Sequence, residues 1–277
     1  MRSRSFGGIV LALSASIMMV GPASTVASAR QTAKANGLPY PNSIAAIGDS
    51  WTAAYCTDSD CTAKPADSWS TGTNPAVDSQ YQRILGKHPA IKGHNLNIAS
   101  QADTPGPGVD DLAFQASKAI ADKVDYVTIA LGENDVCGPA TPTLFRKKFN
   151  AGMAKLVHGL PGAAIFVASI EDLTRHWQVL DADPKLRPAL SLDCGLGAGL
   201  VTKRMLRQLR QRIRSLNREL AVVCGRYRQC RYDGGAVFNI AWKEQDFSPL
   251  DRGHLSIEGQ RLLAATTWKA TYQFAEK

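Results

Sequence analysis

Three short polar clusters in this chain hold the residue types that acyl transfer requires. A serine hydroxyl is a weak nucleophile until a base takes its proton, and the attacked carbonyl needs donors aimed at the oxygen that becomes negative. Gly48-Asp49-Ser50 supplies a hydroxyl directly after an apolar run, with a glycine that lets the chain turn sharply. Asp251-Arg252-Gly253-His254 places a carboxylate three positions before an imidazole. On a bend entering a helix, that spacing lets the Asp accept the Nδ1 proton and leaves Nε2 facing a serine. Ser256 follows as a candidate helix cap that would fix the bend. Gly132-Glu133-Asn134-Asp135 offers a side-chain amide, which can donate to an oxyanion beside the Ser50 backbone N–H.

Taken singly, each cluster has a plainer reading: an ordinary turn, a surface D-x-x-H before a helix, an asparagine capping a turn. Their joint occurrence favours one shared site, provided the fold brings them together. Short runs rich in Ile, Val and Ala at 43–47, 95–99, 126–131, 163–169 and 236–239 alternate with amphipathic stretches at 79–85, 109–121, 143–158, 200–223 and 257–274. This is the pattern of β-α-β units, and it predicts a single α/β domain built as a three-layer α/β/α sandwich on a parallel sheet. In open parallel sheets the ligand crevice forms beyond the carboxyl ends of the strands. Gly48-Asp49-Ser50, residues 99–102 and residues 132–135 all stand at such ends. Residues 172–199, with Trp177, Pro184 and Pro188, read as a long loop. Its Leu173, Trp177, Val179, Leu180, Leu186, Leu190 and Leu192 suit either the wall of an acyl groove or ordinary packing beneath the loop.

The chain opens with Arg2 and Arg4, a short apolar run from Ile9 to Val20, and Ala27-Ser28-Ala29, which reads as a secretory signal over 1–29 that leaves a mature domain of 30–277. The run is short of the roughly 20 residues a membrane span needs, so stable membrane insertion is not expected. Six cysteines in an exported protein are expected to oxidise. Cys56 with Cys61 and Cys224 with Cys230 can close small loops, which leaves Cys137 for Cys194, although fifteen connectivities are formally open. Metal binding is disfavoured, since no C-x-x-C is present and no histidines stand at finger spacing. The net charge of +8 is concentrated between Lys203 and Arg231. There Arg204, Arg207, Arg210, Arg214 and Arg218 recur at helical spacing among Met205, Leu206, Leu209, Ile213, Leu216 and Leu220, the pattern of a solvated helix face and not of a nucleic-acid site. Gly195-Leu196-Gly197-Ala198-Gly199 does not follow a buried strand, which argues against a phosphate loop.

With these blocks in this order, the sequence resembles the GDSL-type or SGNH hydrolases from Gly48 to Gln260. The resemblance implies Ser50 as nucleophile, Asp251 and His254 as its partners, and Ser50, Ala102 and Asn134 as oxyanion donors. The second block departs from the family pattern Asn-Leu-Ala-x-x-Gly: here Asn97-Ile98-Ala99-Ser100-Gln101-Ala102 puts an alanine where the glycine stands. The secreted actinobacterial esterases and lipases of the family are the nearest in appearance, and they carry three disulfides in the sequential order given above. By this likeness the fold is flavodoxin-like with five parallel strands, and no metal or organic cofactor is needed; together with the leader segment, the expectation is a secreted monomer acting on lipid or fatty-acyl esters. Acyl groups on polysaccharide are the enzymatic alternative, and an inactive binding module that has kept the fold is the alternative of another class.

Overall fold

A computed structural model describes residues 37–99, 108–182 and 201–275. The expected signal segment 1–29, Ala102 and Cys194 lie outside the described residues.

The strands are β1 (Leu38–Pro39), β2 (Ile44–Gly48), β3 (Asn95–Asn97), β4 (Tyr126–Ala130), β5 (Ala164–Val167), β6 (Cys230–Tyr232) and β7 (Phe274–Ala275). The α-helices are α1 (Gln80–Leu85), α2 (Leu112–Ala121), α3 (Glu133–Val136), α4 (Pro142–Gly159), α5 (Leu173–Ala182), α6 (Lys203–Cys224) and α7 (Ile257–Ala270). Five strands form a parallel sheet in the order β3-β2-β4-β5-β6, and β1 pairs with β7 in a separate parallel two-stranded ribbon. Period-two alternation divides the main sheet's side chains between two cores. Ala45, Ile47, Val127, Ile129, Ile165 and Val167 face one core, shared with α2, α4 and α6. Ile44, Tyr126, Phe166 and Ala168 face the other, shared with α1 and α7. The result is the expected α/β/α sandwich, and each such Ile or Val contributes roughly 1.5–3 kcal/mol by its burial.

The strand order reverses beside β2. The chain leaves β2 for β3 on one side and returns to β4 on the other, so a crevice opens where β2 and β4 end. The register aligns Gly48 at the end of β2 with Ala130 at the end of β4, which brings the two following motifs to one rim.

Three expectations about elements need correction. The fifth strand is Cys230–Tyr232, while residues 236–239 form turns after Gly234 and Gly235, both at positive φ. Val237 and Phe238 are buried there, so a strand-like composition served a turn that plugs the core. The stretch 172–199 is not irregular from its start: α5 occupies 173–182, with Leu173, Trp177 and Leu180 buried at helical spacing. The last helix stops at Ala270, where Thr271, Tyr272 and Phe274 lead into β7, and the Tyr272 hydroxyl donates to the Ile165 and Gln229 carbonyls. Helices α1, α2, α4 and α6 fall where the sequence places them, whereas the short α3 stands where the sequence marks only a polar strand end. Ser79, Thr141, Thr202 and Ser256 each cap one, accepting a backbone N–H from its first turn. Disulfides join Cys56 to Cys61 and Cys224 to Cys230. The expected pairing of Cys137 with Cys194 lies outside the described residues.

Helix α6 buries Leu209, Ile213, Leu216 and Leu220, and it exposes Arg204, Arg207 and Arg218. Its other arginines serve the fold. Arg210 pairs with buried Asp172 at 2.8 Å, and Arg214 stacks over Phe238 at 5.6 Å. No helix among the described residues is long and apolar enough to cross a membrane.

Candidate active site

Ser50 opens a tight run of turns directly after β2. The carbonyl of Asp49 accepts from the N–H groups of Thr52 and Ala53, and the carbonyl of Ser50 accepts from Tyr55 at 2.9 Å. Gly48 is required where it stands, because a Cβ there would fall on the Thr52 side chain. The Gln115 side chain both donates to the Gly48 carbonyl and accepts from its N–H, each at 2.9 Å, which seals the strand end against α2.

His254 reaches this turn from across the sequence. The Ser50 hydroxyl donates to His254 Nε2 at 2.9 Å, and His254 Nδ1–H donates to Asp251 Oδ2 at 2.5 Å. The direction follows from the carboxylate, which can only accept. Asp251 Oδ1 accepts from the backbone N–H of Gly253 at 3.0 Å and of His254 at 3.1 Å, so one side chain shapes the bend and holds the ring. Burial alone would raise the Asp251 pKa, but the bond and charge of His254, with the two backbone donors, outweigh it and hold the carboxyl below its ordinary range. The arrangement can move a proton from the hydroxyl to the imidazole and stabilise the cation that results.

The bend carries a strained residue, Arg252 at φ 59°, and is tied down from three sides. His176 of α5 donates from Nε2 to the Arg252 carbonyl at 2.7 Å and stacks on Phe247 at 3.8 Å between ring centres. Burial pushes His176 down to about 4, so it stays neutral near pH 7. Trp51 Nε1–H donates to the Gly253 carbonyl at 3.2 Å, and Ser248 N–H to the His254 carbonyl at 2.8 Å. The Tyr55 ring meets the His254 ring edge-on at 5.0 Å.

Asn134 is exposed in α3, four residues past the end of β4. The turn into α3 needs Gly132, which sits at φ 127° and whose Cβ would strike the Ile170 side chain. Gly132→Ala is accordingly expected to cost about 1–3 kcal/mol from backbone strain and overpacking, read as a lower denaturant midpoint at unchanged m-value. Beyond α3, the Arg212 guanidinium donates to the carbonyls of Asp135, Val136, Gly138 and Ala140, and so satisfies the carbonyl end of the short helix. Asp135 accepts from the Val109 N–H at 2.8 Å.

The structure therefore brings Ser50, Asp251 and His254 into one hydrogen-bonded chain and sets Asn134 on the neighbouring strand end. Ala102, the other expected donor, lies outside the described residues. Of the apolar residues considered for an acyl groove, Leu173, Trp177 and Leu180 are buried in packing, Trp177 and Leu180 against Val201 and Leu206. Val179 packs on the second core, and Leu186, Leu190 and Leu192 lie outside the described residues. Ligand-type atoms of Cys56, Asp251 and His254 lie within 4.8 Å of one another. They do not make a metal site, because the Cys56 sulfur is bonded to Cys61 and the other two are bonded to each other. Sequence reasoning missed Gln115, His176 and Arg212. A glutamine on the buried face of α2 among Leu112, Ala116 and Ala119 was the one signal available.

Among solved structures the chain is similar to TesA, at 18% identity over 82% of this chain and 97% of that one, with a TM-score of 0.47. It is similar as well to a putative GDSL-like lipase from Parabacteroides merdae at 15% identity, 85% and 97% coverage and a TM-score of 0.49. The extracellular lipase from Streptomyces rimosus aligns at 14% identity, 83% and 99% coverage and a TM-score of 0.43. No curated protein sequence matches the chain. The family description GDSL-like Lipase/Acylhydrolase matches residues 44–266, well over half of the chain and all of the site just described. The chain belongs to that family of lipases and acylhydrolases and is a carboxylic ester hydrolase.

Proposed function

We propose that the chain is an exported serine esterase that cleaves lipid or fatty-acyl esters through Ser50, His254 and Asp251. The observation that carries this reading is the continuous hydrogen-bonded path from the Ser50 hydroxyl through His254 to Asp251. In the first step His254 takes the Ser50 proton as Oγ attacks the ester carbonyl, and the protonated imidazole then gives that proton to the departing alcohol. In the second step His254 deprotonates water, which attacks the acyl-serine, and the imidazolium returns that proton to Ser50 Oγ as the acid departs. The Asn134 amide and the Ser50 and Ala102 backbone N–H groups hold the oxyanion in both steps. The leader-like segment 1–29 and the disulfides support export, in the manner of the secreted actinobacterial esterases with three disulfides. We take the working unit to be a monomeric domain over 30–277 that neither binds nucleic acid nor inserts stably in a membrane.

A fluorophosphonate probe tests the mechanism directly. It is expected to modify the peptide containing Ser50 at stoichiometric level; absence of labelling in folded protein would favour a binding module that has lost catalysis. The acyl preference is read from a p-nitrophenyl ester series from acetate to palmitate. Rising kcat/KM beyond four carbons is the expected result, whereas activity confined to acetate would overturn the lipid reading in favour of an O-acetyl substrate.

A further inference from the structure

Three carboxyl groups meet beneath the nucleophile, and the reaction just described uses none of them. Asp49 follows β2, Glu133 follows β4 and Glu171 lies beyond the end of β5, so each comes from a different one of three adjacent strands. All three line one small cavity of about 20 Å³, together with Ser169 and Thr52. Asp49 is 4% exposed and Glu171 5%. The Glu171 and Glu133 side chains are hydrogen-bonded to each other. Glu171 Oε1 is buried with no hydrogen-bond partner among the described residues, and Asp49 Oδ1 accepts from the Trp51 N–H at 3.2 Å.

Ionised carboxylates only accept hydrogen bonds, so a bond between two carboxyl groups needs a proton between them. Among the described groups acting on Glu171 none is a cation, and Asp49 meets positive charge only when His254 is protonated. The charged groups acting on Asp49 are Asp135 and His254, and those acting on Glu171 are Asp49 and Asp172. Asp172 is already paired with Arg210 at 2.8 Å and Arg175 at 3.7 Å. From the elements packed against the cluster, α6 brings the neutral Asn217 to the Ile170 backbone, and the turn after β6 and helix α7 bring the apolar Val237 and Leu263. Three ionised carboxylates in such a place would repel one another in low dielectric.

We propose that Glu171 is a positioning residue of this site: in its protonated form it is hydrogen-bonded to Glu133 and lies uncharged against Asp49, so bridging the strand ends that carry Ser50 and Asn134, and ionisation of the cluster loosens both. Burial, with the like charge nearby, pushes Asp49 up to about 7 and Glu171 up to about 8, which agrees with the geometry. The sign of the linkage follows. A carboxyl whose folded pKa is raised stabilises the fold fully below its unfolded value near 4, and that contribution is lost as pH rises through the folded value. The stability contribution should therefore decline from about pH 4 to the folded values near 7 and 8 and level off above them, while turnover falls as the cluster ionises.

The effect on turnover rests on the roles proposed above for Ser50 and Asn134; the effect on stability does not. The test compares the full exported protein with Glu171→Gln and Glu171→Leu, measuring kcat and KM on p-nitrophenyl butyrate and the thermal midpoint from pH 5 to 9.5. In the wild type, kcat is expected to fall about ten-fold between pH 7 and pH 9 with KM little changed, and the midpoint to fall from about pH 5 to about pH 8 and then level off. Glu171→Gln donates at every pH, so it should hold kcat within about two-fold of its own pH 7 value and flatten the midpoint curve. Glu171→Leu, which cannot bridge, should have low kcat throughout. Superimposable midpoint curves for wild type and Glu171→Gln would overturn the proposal. Absence of esterase activity in every form would instead count against the proposed function, and the midpoint curves would still decide this inference. Should Glu171→Gln not fold, Asp49→Asn takes its place in the midpoint comparison: a flattened curve supports the shared proton, and one that overlays the wild type refutes it.

Discussion

Replacing Ser50 with alanine should lower kcat on p-nitrophenyl esters by roughly three or more orders of magnitude while leaving the fold intact. The size of the loss follows from removing the atom that forms the covalent intermediate, after which only oriented binding and oxyanion donors remain to assist water. The harmlessness to the fold follows from the local structure. The carbonyl of Ser50 carries the turn bond to Tyr55, which alanine keeps, and the side chain is half-buried with its hydroxyl turned to His254. A thermal midpoint within a degree or two of the wild type, with turnover nearly abolished, is the expected pair of results. His254→Ala should fall to a similar level, and Ser50→Ala/His254→Ala should be little worse than either, because the two act on one proton and one bond. Multiplicative losses in the double variant would mean that the two side chains act separately, and wild-type turnover in a clean Ser50→Ala preparation would end the account.

How far the site could be read from the chain depends on the range of the interactions that build it. Ser50, Asp251 and His254 were legible because each sits beside a local signal: a strand end with Gly48, and a bend whose cap, Ser256, does bind the Gly259 N–H at 3.2 Å. The central strands were legible because they are covered on both faces and must be apolar throughout. Cys230–Tyr232 was not, because an edge strand that pairs on one side only, through β5, needs no apolar run. The neighbouring Val237 and Phe238 looked like the strand because turns that cover a core are as apolar as strands inside one. The supports were the least visible. His176 acts on a carbonyl 76 residues away, and Arg212 on carbonyls more than 70 residues before it. A polar side chain whose partner is backbone leaves no matching residue to find. The buried carboxyls are invisible for a related reason: Asp49, Glu133 and Glu171 are ordinary acidic residues in the sequence, and only their meeting under one turn makes their charge costly.

Asp251→Asn is the second large effect, and it separates orientation from structure. Asp251 has two tasks on two oxygens: Oδ1 holds the N–H groups of Gly253 and His254, and Oδ2 holds His254 Nδ1–H. Asparagine can keep its oxygen on the backbone donors, so the bend survives, but it then turns an NH₂ donor toward Nδ1. The imidazole answers by accepting at Nδ1 and carrying its proton on Nε2, where it can no longer take one from Ser50. A loss of about 10³–10⁴ in kcat is expected, with the thermal midpoint held near neutral pH. Asp251→Ala should differ in kind. It removes the acceptor of both backbone donors, so it should lower the midpoint as well as the rate, by about 1–3 kcal/mol for the unsatisfied groups. The acid side gives an independent check. Because its partners hold the Asp251 carboxyl below the ordinary range, its contribution to stability is present above about pH 4 and is lost as pH falls through the folded value. Asp251→Asn has no such proton to gain, and its midpoint should fall less steeply in acid than that of the wild type. If Asp251→Asn kept turnover within ten-fold of the wild type, the ring would have to be oriented by His176, Trp51 and the bend alone, and Asp251 would be a residue of the loop and not of the chemistry.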